Sequence, residues 1–241
     1  MLTDMLYMPG TRKLIESWSR HNDAIPIIAL SDQEEALDST FLQTHATERI
    51  LIAPNQYADI APYKKRHSQR HARTFYKFEA FADFGYDQNI FLDSDILCLA
   101  PCPLLLKPNT NTLLKAAKDT GFRPRRGYKG SPNEINSGVL VIDRALQGRN
   151  TIQTLHQIAI ESPGHGGYNS GDQGIINKWI RKESIPIEIL PQNYNLIKKD
   201  YSDCSQIEDC CLLHFTDRKP WFPQPEREEE TQALTSIWRD A

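Results

Sequence analysis

The stretch NIFLDSDILCL, residues 89–99, ends an apolar run in two carboxylates. Ile90, Phe91 and Leu92 predict a buried strand, and Asp93 and Asp95 follow directly. Residues i and i+2 of an extended chain point to the same side, so the two acids converge on one point beyond the strand's carboxyl end. Open α/β sheets bind their ligands at that edge. Two readings stand at this level. One is a hard-oxygen half-site for Mg²⁺ or Mn²⁺, completed by phosphate oxygens. The other is a strand end with one capping acid and one solvated acid.

Three later stretches also carry reactive side chains. NEINSGVLVIDR (133–144) puts Asn136 and Gly138 at the start of an apolar strand. NSGDQGIINKWI (169–180) places an acid and an amide, Asp172 and Gln173, at a helix start. LLHFTDRKPW (212–221) ends a strand in His214, with Asp217, Arg218, Lys219 and Trp221 close behind.

The surrounding elements must position these groups. TRKLIESWSRHN has helical spacing through Leu14, Ile15 and Trp18. IPIIALS reads as a buried strand, DQEEALDSTFLQTH as the helix after it, and ERILIAP as a second strand stopped by Pro54. HARTFYKFEAFADF places Phe75, Phe78, Phe81 and Ala82 on one helical face, with Gly85 ending it. TLLKAAKD reads as a strand or a short helix, and NSGVLVIDR as a strand. NTIQTLHQIAIES and SGDQGIINKWIRK read as helices, IPIEILP and CCLLHF as strands, and EREEETQALTSIWRDA as a surface helix. Strands alternating with helices predict an α/β fold with a mixed, mostly parallel sheet covered on both faces.

With 241 residues, no internal repeat and no low-complexity linker, the chain reads as one domain. Only Met1 and Leu2 precede the polar Thr3 and Asp4, so the first strand reads as truncated. A net charge of −3 gives no bulk attraction to nucleic acid. No apolar run approaches the ~20 residues of a membrane span, and no secretory signal is visible. The five cysteines, Cys98, Cys102, Cys204, Cys210 and Cys211, read as reduced thiols; a zinc site is the alternative, without a C-x-x-C pair to support it.

The four stretches, in their order and content, resemble glycosyltransferase family 8, which includes glycogenin and the bacterial lipooligosaccharide galactosyltransferases. That pattern runs Asp-x-Asp, then Asn-Ser-Gly on an apolar strand, then Asp-Gln at a helix start, then His-Phe…Lys-Pro-Trp. TDMLYMPG, residues 3–10, is similar to the family's nucleotide-binding opening. The resemblance implies a single Rossmann-like GT-A domain over 1–241: a nucleotide- and metal-binding part over about 1–100, an acceptor- and sugar-binding part over about 101–225, and a tail helix over about 226–241. It implies retaining transfer of a hexose from a UDP-sugar to a glycan or glycolipid, with Mn²⁺ or Mg²⁺ as cofactor.

By motif position the metal ligands would be Asp93, Asp95 and His214. Thr3, Asp4 and Tyr7 would meet the base and ribose, and Asp93 and Ser94 the nucleotide. Lys77, Asn136 and Gly138 would lie at the donor sugar and phosphates. Asp172 and Gln173 would stand beside the anomeric carbon, and Lys219 with Arg218 would neutralise the leaving diphosphate. Asp217 stands where the family carries a glycine, and Asn169 where glycogenin-like members carry an acid. The latter argues against self-glucosylation.

Two basic stretches, residues 64–73 and 121–130, read as solvated faces, as covers for the diphosphate, or as patches for an anionic acceptor or lipid headgroups. The latter fits bacterial lipopolysaccharide synthesis in the cytoplasm, with peripheral contact at the inner face of the membrane. Two rival readings are a GT-A-fold scaffold without catalysis and a haloacid-dehalogenase-type phosphatase, whose opening motif is also a strand followed by Asp-x-Asp.

Overall fold

The computed structural model describes residues 1–61, 73–120, 134–162, 171–198, 206–216, 219–222 and 228–241. In chain order the elements are α1 (Met8–His21), β1 (Ile28–Ser31), α2 (Glu34–Leu37), α3 (Thr40–His45), β2 (Glu48–Leu51), a 3₁₀ helix (Arg73–Phe81), β3 (Gln88–Leu92), β4 (Ile96–Cys98), α4 (Pro103–Leu106), β5 (Leu114–Lys118), β6 (Ile135–Asp143), α5 (Arg149–Glu161), α6 (Asp172–Lys182), β7 (Ile187–Leu190), β8 (Leu196–Ile197), β9 (Leu212–His214) and α7 (Glu228–Asp240). They fall into two compact units that interleave along the chain. Unit 1 takes Met1–Leu51, Leu92–Leu106 and Pro191–Ala241; unit 2 takes Ile52–Phe91 and Lys107–Leu190.

Unit 1 holds two small sheets. In the first, β1 and β2 pair in parallel from Ile28 opposite Glu48 to Ser31 opposite Leu51. Residues 1–3 run alongside β1, bonded through Leu30 N to Met1 O at 3.0 Å and Thr3 N to Leu30 O at 2.9 Å. Helix α1 starts with a proline in its first turn, where the missing N–H removes no helical bond, and carries Arg20 and His21 at its dipole-negative end. Met8 and Ile15 of α1 join a core with Ala29, Ala36, Leu37 and Leu42. The second sheet has the order β4-β9-β8, with β9 antiparallel to β4 and parallel to β8. Its apolar side chains join Phe215, Leu234 and Trp238 in a separate core.

Unit 2 is built on a four-stranded sheet of order β3-β6-β5-β7. Strand β6 is buried along its length up to Asp143, as its unbroken Val-Leu-Val-Ile run requires of a strand covered on both faces. It pairs antiparallel with β5, which pairs in parallel with β7. The two larger sheets are mixed, as expected.

Two sequence expectations change, and one that was open is resolved. The single helix expected after β1 breaks into α2 and α3, because the Ser39 hydroxyl accepts from Leu42 N and starts a new helix. The phenylalanine-rich helix is 3₁₀ rather than α. Asn89 of β3 donates to Ala80 O at 3.0 Å and Ala82 O at 2.8 Å, so its amide satisfies carbonyls at the end of that helix. Gly85, at φ +84°, serves the turn beyond it. The segment TLLKAAKD resolves as strand β5.

Candidate functional site

In unit 1 the pairing of β4 with β9 sets Ile96 opposite His214. Phe215 N donates to Asp95 O at 3.0 Å, which ties the end of β9 to the acid pair. His214 Nε2 consequently lies 3.2 Å from Asp95 Oδ1 and 3.8 Å from Asp93 Oδ2. One ligand atom from each of Asp93, Asp95 and His214 lies within 4.8 Å of the others, the single such three-residue group among the described residues.

The other ring nitrogen fixes the chemistry. His214 Nδ1 meets Asn195 Oδ1 at 2.8 Å, and an amide oxygen only accepts, so Nδ1 carries the proton. That directs Nε2 at two carboxylates. Asp95 Oδ1 is buried and faces His214 Nε2. Three electron-rich atoms this close require something positive between them, a proton or a metal ion. The set of two carboxylate oxygens and one imidazole nitrogen, with the imidazole oriented from behind, fits Mn²⁺ or a similar divalent cation.

Lys219 completes the group. Its ammonium bonds to Asp95 Oδ2 and, at 2.6 Å, to Phe215 O. Burial pushes the Asp95 carboxyl up, but His214, when Nε2 also holds a proton, and Lys219 more than offset it through charge and hydrogen bonding and hold the group well below the usual carboxylate range. The N-terminal segment lies in the same unit. A Cβ on Gly10 would stand 2.3 Å from Ser94 O and 2.6 Å from the Trp221 ring, so α1 reaches the Asp-x-Asp turn only because residue 10 has no side chain. Tyr7 meets Trp221 and Phe222 edge to face at 5.7 and 6.1 Å. Asp4 accepts from Tyr7 N at 2.8 Å, and the Thr3 hydroxyl accepts from Thr11 at 2.7 Å.

Unit 2 carries a second polar cluster. Gln173 Oε1 accepts from Asn136 Nδ2 at 3.0 Å and from Ser137 N at 3.3 Å, while its Nε2 donates to Asp119 Oδ2 at 2.9 Å. These partners allow only one orientation of the amide. Asn136 is fixed in turn, because its Oδ1 accepts from Gly138 N at 2.9 Å. Asp172 Oδ2 accepts from Ser137 Oγ at 2.8 Å and pairs with Lys77 at 3.0 Å. Lys77 also donates to Ser137 O and Oγ at 3.2 and 3.1 Å and lies 5.1 Å from the Phe91 ring centre. The anionic partner that a lysine among phenylalanines needs is thus Asp172. Burial and the neighbouring Asp119 push the Glu134 carboxyl up to about 7, although the Gln173 amide and Arg181 oppose the shift.

Four contributors escaped the sequence reading: Asn195, Asn177, Asp119 and Glu134. Asn177 accepts from Ile135 N and donates to Ile135 O, both at 2.9 Å, which clamps the start of β6 to α6. It lies one helical turn after Gln173, a spacing that could have revealed it. Asp119 follows a strand end much as Asp93 does, and Glu134 immediately precedes one. Nothing local marks Asn195. Arg218, Asp217, Asn169 and Cys204 lie outside the described residues, as do the basic stretches except Arg73. Cys98, Cys102, Cys210 and Cys211 are buried free thiols, and no cysteine joins a three-ligand group among the described residues.

The model of the family described as Glycosyl transferase family 8 matches residues 1–224. The galactosyltransferase LgtC, solved in complex with donor and acceptor sugar analogs, aligns with a TM-score of 0.71 at 16% identity, over 99% of this chain and 92% of that one. The glycosyltransferase GlyE of Streptococcus pneumoniae TIGR4 aligns at 0.66 with 21% identity, over 99% of this chain and 59% of that one. Mouse xyloside xylosyltransferase 1 aligns at 0.55 with 14% identity, over 91% of this chain and 94% of that one. At these identities the likeness shows the fold, a mixed α/β architecture of GT-A type. A search of curated proteins finds no match.

Proposed function

The chain belongs to glycosyl transferase family 8, and from that premise we propose that it transfers a hexose from a UDP-sugar to a glycan or glycolipid acceptor, with retention of the anomeric configuration. The observation that carries the reading is the convergence of Asp93, Asp95 and His214 on one point. A divalent ion held there would supply Lewis-acid neutralisation of the leaving diphosphate. Lys219 adds a cation to the same side of the chemistry, with Arg218 as its companion in the sequence. Thr3, Asp4 and Tyr7 serve the base and ribose, and Ser94 lies between the two acids.

In unit 2, Asn136, Gly138 and Asp172 orient the sugar, and the fixed carbonyl of Gln173 stabilises positive charge developing on its ring. Lys77 acts through its pair with Asp172. Retention is what the family resemblance implies, and the motif residues are consistent with it: Asp93 and Asp95 are given to the metal, Asp172 is paired, and an amide is a poor base. The acceptor then attacks on the leaving-group face, and the diphosphate takes its proton. Both units act as parts of one glycosyltransferase domain. The basic stretches of the sequence would suit an anionic acceptor, and the reading extends to bacterial surface polysaccharide or lipopolysaccharide synthesis, on the cytoplasmic face of the membrane. No helix among the described residues is long and apolar enough to cross that membrane.

A thermal-shift panel of UDP-, GDP- and dTDP-sugars, each with and without Mn²⁺, tests donor and metal together. The expected result is a rise in melting temperature with UDP-sugar and Mn²⁺ that Asp95→Ala abolishes. Stabilisation that is indifferent to both Mn²⁺ and Asp95 defeats the proposal. Proton NMR of the product from an α-linked donor decides the stereochemistry, and a β-linked product overturns retention.

A further inference from the structure

Asp93 and Asp95 bring two negative charges to the ligand trio, and Lys219 sets one positive charge against them. Its ammonium is held in place by Asp95 Oδ2 and by the carbonyl of Phe215. Both Lys219 and Asp95 are buried, at 7% relative exposure each, so water screens their interaction poorly. Asp95 is thus shared: Lys219 holds one carboxylate oxygen, and the other faces His214 Nε2 at 3.2 Å. A divalent cation entering alone meets a site already half neutralised, and meets it beside a fixed like charge. A cation arriving with a diphosphate meets a different balance. The phosphate oxygens bring new negative charge, and an ammonium on a flexible four-carbon stem can turn from Asp95 to them.

We infer that Lys219 is a specificity-determining residue: its built-in cation makes the Asp93–Asp95–His214 trio discriminate against a bare divalent ion and accept the ion together with a nucleoside diphosphate. Metal and diphosphate are then coupled through Lys219 as well as through direct chelation, and the order in which they bind is set by the protein. The inference rests on the metal reading above and adds to it that the same lysine opposes the metal in one state and serves the diphosphate in the other.

The two roles predict opposite signs in one variant. Lys219→Gln removes the charge but keeps an amide that can donate to Asp95 or Phe215 O. Its affinity for Mn²⁺ alone, read by electron paramagnetic resonance, should rise between roughly 5- and 150-fold, the usual span of a coupling between two sites. Its affinity for UDP in saturating Mn²⁺, read by calorimetry, should fall. Lys219→Arg, which retains the charge, should keep the weak binding of bare Mn²⁺. The wild-type protein gives an independent reading by nitrogen NMR of Lys219 Nζ with Mg²⁺ as the probe. The Asp95 contact should survive Mg²⁺ alone and be lost when Mg²⁺ and UDP are added together. If wild type binds Mn²⁺ with UDP, yet Lys219→Gln takes bare Mn²⁺ no better, or Mg²⁺ alone releases Lys219, the inference falls and the metal reading stands. If Mn²⁺ binds neither alone nor with UDP, both fall.

Discussion

Each unit buries a lysine against an aspartate, Lys219 against Asp95 in unit 1 and Lys77 against Asp172 in unit 2. The surroundings differ. Lys77 has Asp172 and both oxygens of Ser137 as partners, and Ser137 in turn donates to Asp172. Gln173 next along α6 has its amide engaged on both ends. In unit 1, Asp95 Oδ1 is buried and faces an imidazole nitrogen that also points at Asp93. The first arrangement is a closed network, in which each group is held by the next. The second is left open toward a cation. A buried ion pair that is fully bonded keeps side chains in place. One that is incompletely bonded is suited to exchanging its partner, and under the proposed function the contrast would separate positioning from binding within one protein.

The largest effects should separate the clusters outright. His214→Ala is expected to abolish Mn²⁺-dependent UDP binding in a protein that still melts cooperatively. Gln173→Ala is expected to leave UDP affinity in place while lowering turnover on the order of a hundredfold, the usual loss of one preorganised group. Calorimetry and a transfer assay on both variants check this, and loss of UDP binding in Gln173→Ala would break the separation.

Next in size is the stability of the closed network. Lys77→Met strands a buried carboxylate and should lower unfolding free energy by about 3–5 kcal/mol in urea titration. Lys77→Met with Asp172→Asn should recover part of that loss. A single variant as stable as wild type would mean that the network is not closed.

Glu134 sharpens the same point through pH. Its folded value of about 7 stands above its unfolded value of 4.5, so the native state holds the extra proton between them. The contribution to stability is fully present below pH 4.5 and lost as pH rises through about 7. Relative to Glu134→Gln, wild type should lose about 3 kcal/mol between those limits, from urea midpoints across the range. A constant difference would show that Glu134 has no raised value.

The smallest effect belongs to the open side. Gly10→Ala puts a methyl 2.3 Å from Ser94 O, a backbone atom that cannot rotate away. Displacing the turn should cost about 1–3 kcal/mol in melting experiments and weaken Mn²⁺-UDP binding with it. Unaltered binding would mean that the acid pair tolerates movement of α1.

Much of this was legible in the sequence wherever a strand ran into polar residues. The apolar runs before Asp93 and His214 placed both at strand ends, and β3 and β9 end there or one residue earlier. Lys77 was visible as an anomaly, a lysine among phenylalanines, but its partner Asp172 was not, because the pairing depends on how α6 sits against the 3₁₀ helix. Strands β4 and β8, of three and two residues, are too short to show a period. Asn195 next to β8 was invisible for the same reason: its role exists only once β8 pairs with β9 and brings it to the His214 ring. What composition and spacing fix is which residues end elements. What they leave open is which ends meet.

The interleaving of the units has a consequence for synthesis. Unit 2 is complete once Leu190 has been made, whereas unit 1 awaits Pro191–Ala241. Lys219 and Asp95 are 124 residues apart, so closing that pair encloses a long span of chain and comes late. During translation unit 2 can acquire its sheet while the N-terminal strands of unit 1 still lack β9 and α7. A ribosome that stalls before residue 212 would therefore leave the acid pair without its imidazole, and the unpaired edge of β4 open to other chains. The Asp93–Asp95–His214 trio and its lysine would come together only after unit 2 has been made, once residue 219 is available.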